Sequence, residues 1–203
     1  MNTKITEMKQ IFFTICISLL FSLVNGQSFY SLDYTISFGN DETADYIQSP
    51  SFRGVTFEGR GFVSDNVSLG GLFTWSTFYE ELAGATFSED NLTLTGTQYR
   101  YLNAFPILFQ AHYYLGDDEY EPRAFLGGGA GAYKMVQRTN VGILSLEHNN
   151  WHFGFSPEVG IMFPVSMGTS IIVGFRYHYV VKAKDTMNFS WFALNLGLAW
   201  DNY

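Results

Sequence analysis

The sequence predicts an all-β fold, an eight-stranded antiparallel up-and-down transmembrane β-barrel. Three observations predict it. Apolar and polar residues alternate with a period of two in segments of about ten residues. The connections between these segments are alternately short and longer, and the number of segments is even. In an outer-membrane barrel, short turns lie on the periplasmic side, longer loops lie outside, and an even strand number leaves both termini on one side.

The eight strands follow one another from residue 27 to the end of the chain. In the first strand an apolar face carries Tyr30, Leu32, Tyr34, Ile36 and Phe38. The next six strands are predicted at residues 52–63, 67–79, 99–114, 123–136, 151–163 and 170–180. The eighth alternates through Phe192, Leu194, Leu196, Leu198 and Trp200. Short connections at residues 64–66, 116–122 and 164–169 separate longer ones at 40–51, 80–98, 137–150 and 181–188.

Three segments depart from a regular strand pattern. Pro106 and Pro157 fall inside predicted strands, and we expect bulges or strand breaks there because proline removes a ladder hydrogen bond. The glycines at residues 127–131 leave the facing of the fifth strand undefined and weaken its register. Residues 83–98 are rich in Thr and Leu, a pattern that suits an exposed hairpin extending the third and fourth strands.

Small polar side chains predict which face lines the barrel. A membrane barrel points its apolar side chains outward, whereas a soluble barrel points them inward. We assign the inward face to Ser68, Gly70, Thr74, Ser76, Gly154, Ser156, Glu158 and Gly160, which alternate with large apolar residues. Aromatic residues near strand ends predict two interfacial belts. The outer belt contains Trp75, Tyr79, Tyr99, Tyr101, Trp151, Tyr177, Tyr179 and Trp191, and the periplasmic belt Tyr30, Tyr113, Tyr114, Trp200 and Tyr203.

Residues 1–26 are predicted to be a secretory signal peptide, which leaves residues 27–203 as the barrel domain. Lys4 and Lys9 precede a charge-free apolar run at residues 11–24 that is too short to span a bilayer as a helix. Cys16, the single cysteine, lies in this run, so the barrel domain has no thiol for a disulfide or a metal site. The net charge of -8 argues against a nucleic-acid binder.

Four stretches combine these features: FVSDNVSLG at residues 62–70, FLGGGAG at 125–131, SPEVG at 156–160 and LNLGLAW at 194–200. Through their order and spacing, the chain resembles the small outer-membrane β-barrel proteins of Gram-negative bacteria, the group that includes OmpX and the transmembrane domain of OmpA. The composition and the Asn-Gly-Gln signal junction are similar to those of Bacteroidota members. The resemblance implies a monomer in the cell outer membrane that barrel-assembly machinery inserts.

The predicted interior holds a polar network of Asp33, Glu58, Arg60, Gln110, His112, Glu158, Arg176 and His178. An eight-stranded barrel is just wide enough for its side chains, so no wide channel is expected, and buried charges must pair. If the hairpin between strands six and seven centres near residue 167, Glu158 lies opposite Arg176. A similar estimate brings Asp33 close to Glu58 and Arg60. A structural network is the favoured interpretation, and a narrow gated proton or ion path is the alternative.

The sequence therefore predicts a non-enzymatic protein with a structural or surface-interaction role in the cell envelope and no cofactor. The expected partners are outer-membrane lipid, lipopolysaccharide and an extracellular partner bound through the loops. Acidic loop residues suit weak divalent-cation binding; they are Asp41, Glu42, Asp45, Glu80, Glu81, Glu89 and Asp90.

Two other function classes stay open at this point. A lipid-modifying enzyme would use His148 or His152 near the outer end of strand six, but no serine is closely spaced with them. These two histidines would share a face for a metal only in a helix, which the alternation argues against. A soluble lipocalin-like carrier would instead point its apolar face into a cavity.

Overall fold

The computed structural model describes residues 28–89, 92–116, 121–183 and 186–202, so the predicted signal peptide and Tyr203 lie outside the described residues. The chain forms one closed barrel in which each strand pairs antiparallel with the next and the last pairs with the first. The predicted eight-stranded up-and-down barrel is confirmed. Its strands are β1 (Ser28–Asn40), β2 (Ser51–Ser64), β3 (Val67–Glu89), β4 (Leu92–Tyr114), β5 (Arg123–Val141), β6 (Leu144–Ser166), β7 (Thr169–Val180) and β8 (Phe189–Asn202).

The two ends of the barrel differ in their connections. At one end, called the turn end, the turns after β2 and β6 lie together with the end of β4, the start of β5, the start of β1 and the end of β8. At the other, called the loop end, the chain forms a short helix α1 (Asp41–Tyr46) after β1, and β7 ends and β8 begins there. The sequence analysis did not predict α1. Among the described residues, no helix is long and apolar enough to cross a membrane, a finding that does not bear on crossing by strands.

Two hairpins continue far beyond the closed barrel at the loop end. The β3–β4 ladder extends to the pair Glu89 and Leu92, as the hairpin prediction for residues 83–98 required. The β5–β6 ladder extends to Val141 and Leu144, so the prediction of a loop at 137–150 was wrong. Because β4 and β5 also pair up to Gln98 and Val141, the two hairpins form one four-stranded sheet, here named the outer extension.

The irregularities predicted inside strands did not form. The β3–β4 register is the same on both sides of Pro106, and the β6–β7 register is the same on both sides of Pro157. The predicted bulges and strand breaks are therefore wrong, because β4 and β6 continue through the prolines without a shift of register. Proline only interrupts the pairing, since the ladders lack the pairs Thr74–Pro106 and Pro157–Tyr177 and one neighbouring pair each. The glycine-rich β5 also pairs in unbroken register with both neighbours. A Cβ on Gly131 would lie 2.4 Å from the Ile107 carbonyl oxygen, so glycine here allows close strand approach.

Side-chain direction follows the predicted alternation on most strands. Large apolar side chains cover the outside of the barrel, including Leu32, Tyr34, Phe73, Phe153 and Val159. Buried polar side chains line the inside, including Ser68, Thr74, Ser76, Ser156 and Glu158. The apolar face is thus outward, which contradicts a carrier with an apolar cavity.

Two aromatic residues assigned to the belts point inward instead. Trp191 and Tyr114 are both fully buried in the interior. Each lies in the inward phase of its own strand, Trp191 with Ala193 and Asn195, and Tyr114 with His112. Their assignment to the outer and periplasmic belts was wrong because proximity to a strand end was weighed above alternation.

Candidate functional site

The barrel interior is filled by three layers of side chains. An aromatic layer closes the turn end, a charged layer occupies the middle, and an apolar layer closes the loop end. Glycines on adjacent strands make room for the large side chains. A Cβ on Gly160 would lie 2.4 Å from the ring of Phe125, and one on Gly154 would lie 2.8 Å from the ring of Tyr133. The alternation of large and small inward residues therefore fills the interior.

The charged layer consists of two carboxylates and two guanidinium groups, all about 1% exposed. The Arg176 Nη2 donates to Glu58 Oε1 at 2.6 Å and to Glu158 Oε2 at 2.7 Å. The Arg60 Nε and Nη2 both donate to Glu58 Oε2, at 2.9 and 2.6 Å. Arg60 Nη2 also lies 3.3 Å from Glu158 Oε2. Each cation therefore contacts both carboxylates, the geometry that buried charges need in order to offset their desolvation.

Two further polar side chains complete this charged layer. The His112 Nε2 donates to Glu158 Oε2 at 2.7 Å, and the Gln110 amide donates to Glu58 Oε2 at 3.2 Å. Six of the eight predicted network residues are thus joined by hydrogen bonds. The predicted hairpin centre is also confirmed, because Glu158 pairs directly with Arg176 across the β6–β7 ladder.

Asp33 and His178 lie outside that hydrogen-bonded group. Asp33 pairs with Thr56 across β1 and β2, and its carboxylate lies over Gly197, where a Cβ would come within 1.7 Å of Oδ1. Its Oδ1 has no hydrogen-bond partner among the described residues, and Oδ2 accepts only a long bond of 3.4 Å from Ser31. Asp33 thus lies within electrostatic range of Glu58 and Arg60, as predicted, but it forms no ion pair among the described residues.

The apolar layer at the loop end is built around Trp191. Its indole stacks on the His178 ring at a centroid distance of 4.5 Å, and the Tyr133 hydroxyl and His178 Nδ1 form a hydrogen bond of 3.0 Å. Phe78, Leu102, Met135 and Phe189 pack in the same cluster with Ile47, which follows α1. His178 therefore belongs to this layer and not to the charged one.

Helix α1 closes the loop end above the apolar layer. Glu42 accepts hydrogen bonds at 3.1 Å from the Asn188 backbone and side-chain amides. Arg100 donates to the Tyr46 carbonyl at 2.9 Å, and the Tyr46 hydroxyl donates to the Arg138 carbonyl at 2.9 Å. Burial raises the pKa of the Tyr46 phenol, opposed by its hydrogen bond with Thr139. Helix α1 and Tyr46 therefore connect the segment before β8 with β4 and β5 on the other side of the barrel.

The aromatic layer at the turn end contains Phe29, Phe62, Tyr114 and Phe125. Arg60 connects it to the charged layer, because its guanidinium lies 4.8 Å from the Phe125 ring centroid and donates to the Tyr114 hydroxyl at 3.0 Å. Tyr114 is thus a member of the network that the sequence analysis missed. The signal was present, since Gln110, His112 and Tyr114 share one phase of β4.

A chain of hydroxyls also escaped the sequence analysis. The Thr35 hydroxyl hydrogen-bonds to Thr56 Oγ1 and to Asn195 Oδ1 at 2.8 Å, and Thr56 continues to Thr74 at 2.8 Å. All four side chains are buried on four neighbouring strands. Threonine is common in strands, so only the inward phase marks these residues.

The histidines considered for catalysis or metal binding lie apart from the charged layer. His148 is exposed on the outer extension, while His152 is buried, with its Nδ1 3.1 Å from the Val181 carbonyl oxygen. In the part of the chain that the structure describes, no group of three or more His, Cys, Asp and Glu residues is placed to hold a metal ion.

No protein-family model and no curated protein matches the chain. Solved structures share its fold. Neisserial surface protein A is 14% identical with a TM-score of 0.57, over 87% of this chain and 99% of that one. Ail, the attachment invasion locus protein of Yersinia pestis, is 14% identical with a TM-score of 0.54, over 87% and 99%.

The outer membrane protein OprG of Pseudomonas aeruginosa is 9% identical with a TM-score of 0.53, over 88% of this chain and 97% of that one. At such identities the comparison concerns the fold. The chain has the fold of small outer-membrane β-barrels.

Proposed function

We propose that the chain is a non-enzymatic outer-membrane protein of a Gram-negative bacterium, whose sealed barrel carries the outer extension as a surface for interactions. The observation that carries this proposal is the reversal of ordinary polarity. Large apolar side chains such as Phe73, Phe153 and Val159 are exposed outside, while Glu58 and Arg176 are buried inside. A barrel surrounded by water would expose these apolar side chains to solvent. A barrel surrounded by lipid favours apolar side chains on its outside and charged side chains in its interior.

The filled interior supports a structural role over transport. A conducting path would have to pass Trp191, the Arg60–Glu58 pair and Phe125, each of which is buried in a different layer. The narrow gated channel therefore requires all three layers to move. Porins, whose barrels enclose a water-filled channel, have more than eight strands.

The outer extension supports an interaction role. Its four strands continue past the ends of the β2–β3 and β6–β7 ladders, so β3 and β6 present free edges there. Free strand edges accept further strands through main-chain hydrogen bonds. At its tip Ile143 is fully exposed, which is an apolar group suited to contact with a partner. Lipid, lipopolysaccharide and an extracellular partner are the proposed contacts, and the barrel-assembly machinery is the proposed route of insertion.

Cysteine labelling tests the proposed location and orientation. The predicted barrel domain has no cysteine, so Ile143→Cys at the loop end and Met167→Cys at the turn end introduce unique and highly exposed thiols. In intact cells a membrane-impermeant maleimide should label Ile143→Cys alone, and Met167→Cys should react after the membrane is opened. Equal labelling of both thiols in intact cells would contradict the proposal.

A further inference from the structure

A polar row interrupts the apolar outside of the barrel on the side that β2 to β5 form. It consists of Arg53 on β2, Thr77 on β3, Asn103 on β4 and Lys134 on β5, and is here named the belt row. Thr77 pairs with Asn103, while Lys134 lies two residues nearer the turn end, where it pairs with Phe105. Relative to Thr77 and Asn103, β3 and β4 carry Trp75 and Phe105 toward the turn end, and Tyr79 and Tyr101 toward the loop end. The belt row therefore lies where the apolar band ends, the height of lipid head groups in the proposed orientation.

The two cations of the belt row have no carboxylate partner among the described residues. Arg53 is exposed and lies 5.6 Å from the Tyr79 ring centroid, while the Lys134 ammonium lies 5.3 Å from the Trp151 ring centroid. Cation–π contacts leave the outer side of each charge open to a further ligand. The Arg138–Glu147 pair, higher on the outer extension, shows the ordinary alternative of a cation held by a carboxylate.

Hydrogen bonds also orient the neutral part of the belt row. The Trp75 indole donates to the Thr77 hydroxyl at 3.1 Å, and this hydroxyl donates to Asn103 Oδ1 at 2.7 Å. The Asn103 carbonyl oxygen is thereby engaged, which leaves its NH₂ group as a donor on the outside. The belt row therefore offers hydrogen-bond donors and positive charge, and phosphate oxygens interact favourably with both.

We infer that the belt row binds the phosphate-bearing head group of an outer-leaflet lipid. Arg53 and Lys134 are three strands apart, about 14 Å along the sheet at the usual strand spacing, so they span one large head group or two smaller ones. Positive charge at this height in a chain of net charge -8 is complementary to an anionic lipid. This inference rests on the proposed outer-membrane location.

The test titrates the folded chain in maltoside micelles with diphosphorylated lipid A, with dephosphorylated lipid A and with inorganic phosphate, and measures bound lipid by native mass spectrometry. The test variant is Arg53→Gln/Lys134→Gln. The matched control is Arg138→Gln/Lys182→Gln, which removes the same charge from other exposed loop-end residues. A mobility shift on boiling shows beforehand that each variant has folded.

The wild type and the control should bind phosphorylated lipid A, and the test variant should bind it roughly 30-fold more weakly, since each Lys or Arg near an anionic surface contributes about fivefold in affinity. Equal binding by the test variant would overturn the inference. Equal binding of the dephosphorylated lipid, or phosphate binding as tight as lipid binding, would overturn the lipid-phosphate assignment. A wild-type chain that never folds in micelles would instead refute the membrane location.

Discussion

Replacing Arg176 with methionine removes one cation from the charged layer and leaves the barrel wall intact. Arg176 donates one hydrogen bond to each carboxylate, at 2.6 Å to Glu58 and 2.7 Å to Glu158. Hydrogen bonds to charged groups contribute about 1.5–3 kcal/mol each, and breaking a buried ion pair costs about 3–5 kcal/mol. Arg60 still bonds Glu58 through two nitrogens, so we expect a loss of about 3–5 kcal/mol in the free energy of unfolding for Arg176→Met.

Two controls separate burial from the loss of an arginine. Arg138→Met breaks a pair whose side chains are 47% and 36% exposed, and it should cost less than about 1 kcal/mol. The double variant Arg176→Met/Glu158→Gln removes a charge of each sign, and it should be more stable than Arg176→Met alone because fewer unpaired charges stay buried.

The measurement is urea unfolding of the reconstituted protein in phosphatidylcholine vesicles, followed by tryptophan fluorescence. If Arg176→Met costs no more than Arg138→Met, the charged layer is solvated and the sealed interior is refuted. A double variant no more stable than Arg176→Met would contradict the role of charge balance.

Three further predictions use the same unfolding assay. Val159→Arg places a charge in the middle of the outward apolar band and should lower the free energy of unfolding by about 2–4 kcal/mol. Val165→Arg, near the turn end, should lower it by about 0–1 kcal/mol, and equal losses would contradict the assignment of this face of β6 to lipid. Asp33→Asn should stabilise the barrel by about 1 kcal/mol or more, because it replaces a buried carboxylate that has no hydrogen-bonded cation with a neutral amide. A loss of stability would show that the interior compensates the charge of Asp33. Gly160→Ala should cost about 1–3 kcal/mol, because its Cβ would clash with the Phe125 ring and the Val173 carbonyl oxygen. The control Gly71→Ala should be neutral, because its Cβ meets only an ordinary contact at 3.6 Å. Equal stability of the two variants would show that the interior side chains rearrange to accept the added methyl group.

Most of the fold could be predicted from the alternation of apolar and polar residues, because each side chain of a barrel strand points either inward or outward. The same reasoning located the pair Glu158 and Arg176, since a tight hairpin determines register over its whole length. It failed where a second signal was preferred, as with Tyr114 and Trp191, whose aromatic character near a strand end outweighed their inward phase.

Other features depend on contacts that strand periodicity does not encode. Helix α1 is held by Asn188, Ser190 and Arg100, which lie far from it in sequence. The Asp33 carboxylate lies over Gly197, a side-chain position that register alone does not determine. The structure joins six of the eight predicted network residues by hydrogen bonds and places Asp33 and His178 outside that group.

The central claim is that the apolar outside of the barrel faces lipid. Its most direct test is refolding of residues 27–203 into detergent micelles, followed by circular dichroism and by gel electrophoresis with and without boiling. We predict a β spectrum in detergent and a mobility shift that boiling abolishes. A chain that folds without detergent and migrates identically before and after boiling would contradict the claim.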